Sequence, residues 1–322
     1  MRAVRYTRTG GPEVLETVEI DAPEPGPGEL AIAVSHAGVH FADVMFRRGQ
    51  FPIGLPAVPG IEVAGTVAAL GEGVTGYRIG EPVAAVATAF GGCAERVVVP
   101  AGTTLPLDGL DPELAAATAC NAATAVGTLR AAARITGGDR VLVLGAAGGL
   151  GTLLGRLARH YGAALVVGAA ATPERAARAR RDGGFDAALP YGELAGQRDA
   201  LTEGHGFDVV VDSVGGDPRA QVRGLLALFG RHVVIGDAAD SDLALMADEV
   251  WFESFTLAGY NLGGVLSRAP EVFREHLAEG LRLVAEGVLT TEVEPIGWDG
   301  VVAAHAALEN RTAPAKYVLR TA

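Results

Sequence analysis

The chain has 322 residues, of which 49% are apolar, and this is enough to fill the cores of two domains. Its 38 acidic and 26 basic residues give a formal net charge of -12, which argues against general binding of nucleic acid or of an anionic membrane, because both require a positive surface. Only two cysteines occur, too few for a disulfide scaffold, and no segment has the pattern of a secretory signal or a membrane span. We therefore expect a reduced cytoplasmic protein.

The first part of the chain, residues 1–122, is predicted to be rich in β-strands. Short apolar or alternating runs are separated there by clusters of Pro and Gly, which is typical of strands joined by turns. The predicted strands are residues 1–6, 29–36, 61–70, 81–87 and 94–100. No parallel α/β pattern occurs in this part.

From residue 123 the pattern changes to strands that alternate with amphipathic helices. The predicted strands are residues 141–144, 165–168, 187–189, 209–212, 232–236 and 256–259. Six strands with crossover helices predict a doubly wound parallel sheet.

The last part of the chain is predicted to return to the first domain. It carries a helix at 270–286, a strand at 291–295, a helix at 298–309 and a closing strand at 317–320. We therefore predict an α/β protein with a discontinuous β-rich domain, residues 1–122 and 265–322, and a doubly wound domain, residues 123–264.

A glycine-rich turn follows the first strand of the doubly wound domain. Residues 141–144 form the apolar strand, residues 145–149 (GAAGG) the turn, and residues 150–161 a helix whose free N–H groups point at phosphates. A second strand comes next, as a βαβ unit requires. This order predicts a dinucleotide-binding site.

The end of the second strand decides between NAD and NADP. Residues 168–172 (GAAAT) contain no carboxylate that would bond the adenine ribose 2′-hydroxyl. Glu174 follows, but Arg175 and Arg178 flank it on the opening turn of the next helix, where a guanidinium can pair with a 2′-phosphate. The pattern favours NADPH; the alternative is that the basic stretch 175–181 is only a solvated helix face.

Motifs along essentially the whole length resemble one known family. They are MRAV at 1–4, GGPEVL at 10–15, GVHFAD at 38–43, PGIEVAG at 59–65, GAAGGLG at 145–151, VDSVG at 211–215 and AK at 315–316. The chain is similar to the zinc-independent, zeta-crystallin-like quinone oxidoreductases of the medium-chain dehydrogenase/reductase superfamily. The resemblance implies a GroES-like catalytic domain, a Rossmann domain, bound NADPH and, as is usual in the family, a homodimer.

The resemblance also implies which residues contact the cofactor. Carried over to this sequence, they are Ala146, Ala147, Gly148, Gly149 and Leu150 in the turn, Thr172 and Arg175 at the 2′-phosphate, Tyr191 near the adenosine, Ser213 and Val214 after the fourth strand, Ile235, Gly236, Asp237 and Ala238 after the fifth, and Asn261 and Lys316. For Tyr191 a surface-loop position remains open, and for Ser213 a local turn or cap.

Both zinc functions of the superfamily are predicted to be missing. Zinc-dependent relatives have a cysteine near the position of His40 and a Gly-His-Glu where this chain has Gly60, Ile61 and Glu62. Two cysteines, Cys93 and Cys120, cannot form a four-cysteine structural site. We predict no metal, a packing role for both thiols, and a structural role for Glu62, bonded to backbone at a strand end.

The candidate reaction site lies in the segment that begins at His40. The resemblance implies Asn at this position, near the nicotinamide and the acceptor carbonyl. His40 can donate a hydrogen bond there and, unlike Asn, can also act as an acid and supply a proton; the alternative is that it fills a loop and bonds backbone. Asp43 either orients His40 or caps the helical turn that follows. Phe41, Met45 and Phe46 are predicted to form an apolar wall for a flat acceptor, or else to belong to the core. Met45 stands where the family often has Tyr.

The predicted reaction is NADPH-dependent reduction of a quinone or a similarly conjugated carbonyl, with a proton from solvent or through His40. Reduction of an enone or enoyl thioester stays open, because both substrates offer an electrophilic carbon conjugated to a carbonyl. A third hypothesis is an NADPH-binding structural or RNA-associated protein, against which the acidic charge argues. Residues 255–260, the last strand of the sheet, are predicted to pair with their symmetry mate in a homodimer.

Overall fold

The computed structural model describes residues 1–241, 243–244 and 246–321, and it divides into two compact units. Unit 1 consists of Met1–Cys120, Ala269–Ala285 and Thr291–Ala322, and unit 2 of Asn121–Arg268 and Glu286–Thr290. None of the helices in the described ranges is both long enough and apolar enough to cross a bilayer.

The strands of the described residues are short, with at most ten residues in each. In chain order they are β1 (Arg2–Arg5), β2 (Glu16–Glu19), β3 (Glu29–Gly38), β4 (Glu62–Leu70), β5 (Pro82–Val86), β6 (Arg96–Pro100), β7 (Thr104–Pro106), β8 (Arg140–Leu144), β9 (Leu165–Ala170), β10 (Ala187–Pro190), β11 (Phe207–Asp212), β12 (Leu226–Val234), β13 (Thr256–Gly259), β14 (Val293–Ile296) and β15 (Lys316–Arg320).

The α-helices belong mainly to unit 2 and to the C-terminal part of the chain. They are α1 (Phe41–Arg48), α2 (Pro112–Gly127), α3 (Gly149–His160), α4 (Pro173–Asp182), α5 (Leu194–Thr202), α6 (Gly216–Leu225), α7 (Ala247–Phe252), α8 (Leu262–Arg268), α9 (Pro270–Ala285) and α10 (Val301–Glu309). A π-helical turn, Thr128–Ala132, follows α2 directly.

Unit 1 is built on a seven-stranded sheet. The strand order is β14-β15-β3-β4-β5-β7, with β6 also paired to β3. All these pairs are antiparallel except β14 with β15. The central strands β3 and β4 are mostly buried because their side chains meet the core that includes Leu30, Ile32 and Val63. The ends of these strands carry the segments that hold His40 and Gly60.

Unit 2 is a parallel sheet with the strand order β10-β9-β8-β11-β12-β13. The first strand in the chain, β8, lies in the middle, and the order reverses between β8 and β11, which is the switch point at which dinucleotides bind. Residues of β8 and β11 such as Val141 and Val210 are 0% exposed, as expected for a sheet covered on both faces. The predicted fold class, a GroES-like β-rich domain with a Rossmann domain, is confirmed.

Candidate functional site

The glycine-rich turn after β8 requires glycine at two positions. Gly145 has a φ of 75°, a left-handed conformation that side chains disfavour. A Cβ on Gly151 would lie 2.3 Å from the carbonyl oxygen of Gly145, closer than atoms can approach. Ala146 and Ala147 are buried, and no residue of the turn GAAGG carries a side chain larger than a methyl group. The turn is therefore bare of bulky side chains, as close approach of a pyrophosphate requires.

The helix α3 begins without a side-chain cap. Gly148 is its N-cap and gives no side-chain hydrogen bond, and the first turn contains no acidic residue. Ala146 donates its N–H to the carbonyl of Ala169 (3.0 Å), whereas the N–H groups of Gly149 and Leu150 lie in the first helical turn, where no intrahelical acceptor exists. These donors and the positive end of the helix dipole form a place for an anion.

Thr172 caps the helix that follows the second strand. Its Oγ1 accepts a hydrogen bond from the N–H of Arg175 (3.3 Å). The pKa of the exposed Glu174 is lowered because its carboxylate accepts hydrogen bonds from its own N–H and from the Thr172 hydroxyl. Arg178 pairs with Asp182 one turn further along (3.5 Å). Arg175 is half-buried in the first turn, next to the exposed Glu174, and its contact with a 2′-phosphate stays a prediction.

Tyr191 starts a short 3-10 turn, Tyr191–Glu193, directly after β10. Its ring is half-buried and packs against the buried cluster that includes Leu144 and Val167. Tyr191 is therefore fixed beside the ends of the first strands rather than carried on a loop tip.

Three strand ends meet at the carboxyl edge of the unit 2 sheet. Ser213, after β11, donates its Oγ–H to the carbonyl of Leu144 at the end of β8 (3.3 Å). The carbonyl of Ser213 accepts from the N–H of Ala238, after β12 (3.2 Å). The structure thereby brings together the predicted residues Ser213, Val214, Ile235, Gly236, Asp237 and Ala238, next to the glycine-rich turn.

Two predicted cofactor residues have other partners. The Oδ1 atom of Asn261 accepts from the N–H of Gly264 (2.6 Å) at the start of α8. The Nζ atom of Lys316 lies 2.5 Å from Oε1 of Glu62, and this lysine is only 9% exposed. A cofactor role for either residue stays a prediction, since a ligand would have to compete with these contacts.

His40 and Asp43 cap the helix α1 reciprocally. Nδ1 of His40 accepts from the N–H of Ala42 (3.1 Å), while Oδ2 of Asp43 accepts from the N–H of His40 (2.9 Å). Oδ1 of Asp43 accepts from the N–H of Gly60 (2.9 Å). Because Nδ1 accepts a hydrogen bond, the neutral ring carries its proton on Nε2. His40 therefore bonds backbone, as one of the two alternatives expected; its role toward an acceptor stays a prediction.

Asp43 is 1% exposed, and burial raises its pKa to about 6. The hydrogen bonds from Gly60 and His40 and the charge of Lys316 oppose this shift only in part, and Glu62 adds to it. The ionised carboxylate ties the His40 segment to the Gly60 turn. Asp43 therefore positions His40 through its backbone rather than through its ring.

We expect Asp43→Asn to reveal this titration. A folded pKa of about 6 against an ordinary value of 3.8 means that wild-type stability falls as the pH rises through this window, because the unfolded carboxyl ionises first. Asn does not titrate, so the stability gap between wild type and Asp43→Asn should narrow by roughly 3 kcal/mol from pH about 4 to about 7 and stay constant above that. Urea unfolding of both proteins at several pH values checks this. A gap that widens over that range would mean that the folded pKa is lowered instead.

Glu62 is held by protein groups on both oxygens. It is 0% exposed, Oε2 accepts from the N–H of Cys120 (2.8 Å), and Oε1 pairs with Lys316. Among the residues that the structure describes, no group of three or more His, Cys, Asp or Glu side chains is arranged to hold a metal ion. Cys93 and Cys120 are buried free thiols, and burial raises the pKa of Cys93 well above its usual range.

The predicted acceptor wall is half-buried rather than part of the core. Phe41, Met45 and Phe46 all retain some exposure. The ring of Phe46 packs edge-on against Phe90 (centroids 4.5 Å apart) and tilted against Phe51 (5.6 Å). Sequence reasoning missed Phe51 and Phe90, which come from different segments; Phe90 adopts a φ of 66°, unusual for a bulky residue.

Comparisons with known proteins agree with this architecture. The alcohol dehydrogenase GroES-like domain matches residues 26–109, and the zinc-binding dehydrogenase family matches residues 149–282. Quinone oxidoreductase of Pseudomonas aeruginosa is 34% identical over 238 residues, which are 71% of this chain and 73% of that protein. A mycocerosic acid synthase-like polyketide synthase of Mycobacterium tuberculosis is 33% identical over 292 residues, 87% of this chain but 13% of the synthase.

Among solved structures, Escherichia coli quinone oxidoreductase complexed with NADPH superimposes with a TM-score of 0.92 at 26% identity and covers 100% of both chains. A GroES-like β unit and a Rossmann sheet in one chain define a medium-chain dehydrogenase/reductase. Within that superfamily, the protein is an enzyme that belongs to the quinone oxidoreductase family.

Proposed function

We propose that the protein is an NADPH-dependent oxidoreductase that reduces a quinone, or a similarly conjugated carbonyl, without a metal. The observation that carries this proposal is the bare glycine-rich turn in front of the uncapped helix α3, at the switch point of the sheet. Two phosphates fit there, since the backbone offers donors and no acidic side chain repels them. The NADPH complex of the Escherichia coli relative supports the choice of cofactor.

The 2′-phosphate is assigned to Arg175. Residues 168–172 offer no carboxylate for a ribose hydroxyl, and the Thr172 cap fixes the first turn of α4 on which Arg175 lies. A guanidinium suits a phosphate in charge and geometry.

Bound NADPH supplies the hydride, so this chain has to orient the acceptor and exclude water. In our proposal the Nε2–H group of His40 donates a hydrogen bond to the acceptor carbonyl and withdraws charge from it. Protonating the ring would place a proton on Nδ1 and break the cap on Ala42. The reaction proton is therefore assigned to solvent rather than to His40.

His40→Asn tests the role of this imidazole. Asn can cap the helix with Oδ1 and donate through Nδ2, so we expect kcat within about tenfold of wild type and a pH profile of unchanged shape. His40→Ala loses both functions and should be slower by about a hundredfold. Steady-state kinetics over the neutral pH range separates the variants. Loss of one limb of the profile in His40→Asn would show that the imidazole transfers the proton.

A second candidate function is reduction of an enone or enoyl thioester. It stays open because a quinone and an enone both offer an electrophilic carbon conjugated to a carbonyl, and a polyketide synthase also matches 87% of this chain. Turnover with NADPH on a panel of quinones, alkenals and an enoyl thioester decides between the two. Activity on alkenals or the thioester with none on any quinone would replace the first proposal with the second.

We also propose a homodimer through the free edge of the unit 2 sheet. β13 is the last strand of that sheet, and exposed apolar side chains lie on β13, on the neighbouring β12 and on α7, which precedes β13 in the chain. This apolar patch consists of Leu228 (70% exposed), Phe229 (72%), Trp251 (71%), Phe252 (73%) and Leu257 (42%). Large apolar side chains that are this exposed on a monomer are unfavourable in water, and a second copy of the chain would cover them.

Sedimentation velocity should show a dimer for wild type and a monomer for the double variant Leu228→Glu/Phe229→Glu, because each protomer would bury two unpaired charges at the interface. Ile79→Glu is the control, since Ile79 is equally exposed (71%) but belongs to unit 1. A wild-type monomer, or a double variant that remains dimeric, would contradict this interface.

A further inference from the structure

Three buried polar side chains of unit 2 form a cluster beneath the carboxyl edge of the sheet. Asp212 ends β11 and is 0% exposed, Arg219 in α6 is 5% exposed, and His232 in β12 is 2% exposed. Oδ2 of Asp212 lies 2.6 Å from Nε of Arg219 and 3.4 Å from Nε2 of His232. Buried ion pairs add little net stability because of their desolvation, so the geometry that they impose is the more informative property.

The cluster holds two strand-end segments at once. Oδ1 of Asp212 accepts from the N–H groups of Val214 (2.8 Å) and Gly215 (3.0 Å), which follow β11. The Nη2 atom of Arg219 donates to the carbonyl of Gly236 (2.6 Å), which follows β12. One ion pair therefore fixes the segment after β11 through its carboxylate and the segment after β12 through its guanidinium.

The second of these contacts sets the direction of a peptide group. The carbonyl of Gly236 and the N–H of Asp237 belong to one planar trans peptide and point in opposite directions. Because Arg219 holds the carbonyl inward, the N–H of Asp237 points away from the guanidinium. The buried guanidinium of Arg219 thus fixes the direction in which the N–H of Asp237 points.

The segments after β11 and β12 lie on the same side of the switch point, in the half of the sheet formed by β11, β12 and β13. In a doubly wound sheet each half binds one mononucleotide, and the adenosine half of the proposed site belongs to β8, β9 and β10 with Thr172 and Arg175. We propose that Arg219, held by Asp212, is a positioning residue for the nicotinamide half of the NADPH site. This inference rests on the proposed function and adds a residue that does not itself touch the cofactor.

The carboxylate of Asp212 in this ion pair is ionised near neutral pH. Burial opposes ionisation of Asp212, but hydrogen bonds from His232, from Arg219 and from the N–H groups of Gly215 and Val214 outweigh it and lower the pKa to about 2. The Asp212 carboxylate therefore stays ionised near neutrality, as its ion pair with Arg219 requires.

The test compares two ligands on the same variants. Arg219→Met removes the guanidinium contacts with Asp212 and Gly236. Arg219→Lys keeps a positive charge beside Asp212 but has a single ammonium group in place of the planar guanidinium with its several N–H donors. Arg223→Met is the matched control, one helical turn further along α6, where the arginine pairs with Glu249 (2.8 Å) at the surface. Each protein is titrated with NADPH and with 2′,5′-ADP, which carries only the phosphorylated adenosine half, and kcat is measured at saturating NADPH.

We expect Arg219→Met to weaken NADPH binding by about ten- to a hundredfold and to lower kcat, with 2′,5′-ADP binding unchanged within about twofold. Arg219→Lys should lie between Met and wild type, and Arg223→Met should match wild type. The inference is overturned if Arg219→Met keeps wild-type NADPH affinity and kcat, or if both ligands weaken to the same extent. Should Arg219→Met fail to fold, Arg219→Lys takes its place. A loss of NADPH affinity larger than the loss of 2′,5′-ADP affinity supports the inference, and equal losses or no loss overturn it. A wild-type protein that binds neither ligand would overturn the proposed function itself.

Discussion

Replacing Gly148 by Val should weaken NADPH binding by at least about a hundredfold while the protein stays folded. Gly148 is the N-cap of α3, with φ -85° and ψ 164°, an extended conformation that Val adopts readily. A Cβ there would meet one atom within 4 Å, the carbonyl oxygen of Gly145 at 3.3 Å. The fold can accommodate that contact with a small shift, but the isopropyl group would stand where a phosphate has to reach the N–H groups of the first turn.

Gly137→Val is the control for this substitution. A Cβ at Gly137 meets nothing within 4 Å, and the residue belongs to unit 2 but not to the turn. Fluorescence titration with NADPH and a thermal melt on each variant give affinity and stability separately. Wild-type affinity in a folded Gly148→Val protein would show that the phosphates do not bind at this helix.

Arg175→Ala should weaken NADPH binding by about ten- to a hundredfold and leave NADH binding unchanged. The expected loss reflects charge-assisted hydrogen bonds from the guanidinium to the 2′-phosphate, a group that NADH lacks. Removing the Arg175 side chain should leave the helix cap intact, because Thr172 accepts from the backbone N–H of this residue and not from its side chain.

Two further variants of α4 sharpen this test. Arg180→Ala removes an exposed charge from the same helix, two turns from the cap, and should leave both affinities close to wild type. Glu174→Gln removes the carboxylate that bonds the Thr172 hydroxyl and should strengthen NADPH binding about two- to fivefold by removing a repulsion. If Arg175→Ala weakened NADH and NADPH equally, the 2′-phosphate assignment would be wrong.

The strands of both units were predictable from sequence to the extent that their patterns were periodic or uniformly apolar between turns. The six predicted strands of unit 2 recur as β8 to β13, because each is a short apolar run followed by a helix.

The helix α2 (Pro112–Gly127) was not predicted as a helix. It is Ala-rich and buried on nearly all sides, so it lacks the amphipathic period that identifies a helix. The strands β2 and β7, of four and three residues, are too short to give a pattern.

The candidate site was predictable where the chemistry lies in adjacent residues. The glycine-rich turn is one continuous stretch of sequence, and so is the segment from Thr172 to Arg175. Each follows a strand of the unit 2 sheet, β8 and β9 respectively, and lies at the edge of that sheet. Contacts between distant segments could not be read from the sequence, such as Lys316 on Glu62 or Arg219 on Gly236. Nothing local distinguishes those side chains from surface charges until the fold buries them.

His40 illustrates how the structure narrows a sequence prediction. The sequence allowed this imidazole to donate either a hydrogen bond or a proton. The capping contact of Nδ1 with the N–H of Ala42 favours the first role, since the doubly protonated ring would lose the cap. The same contact is compatible with the asparagine that the family resemblance implies at this position, because both side chains offer an acceptor to the helix and a donor on the other side.

The central claim, metal-free reduction of a quinone by NADPH, is tested most directly by one assay. Protein purified in the presence of a strong chelator is mixed with NADPH and a panel of quinones, and oxidation of NADPH is followed by absorbance against an enzyme-free blank. We expect turnover of at least one quinone, with a marked preference for NADPH over NADH and no gain from added zinc. Failure to oxidise NADPH with every quinone, or activity that appears only when zinc is restored, would contradict the account.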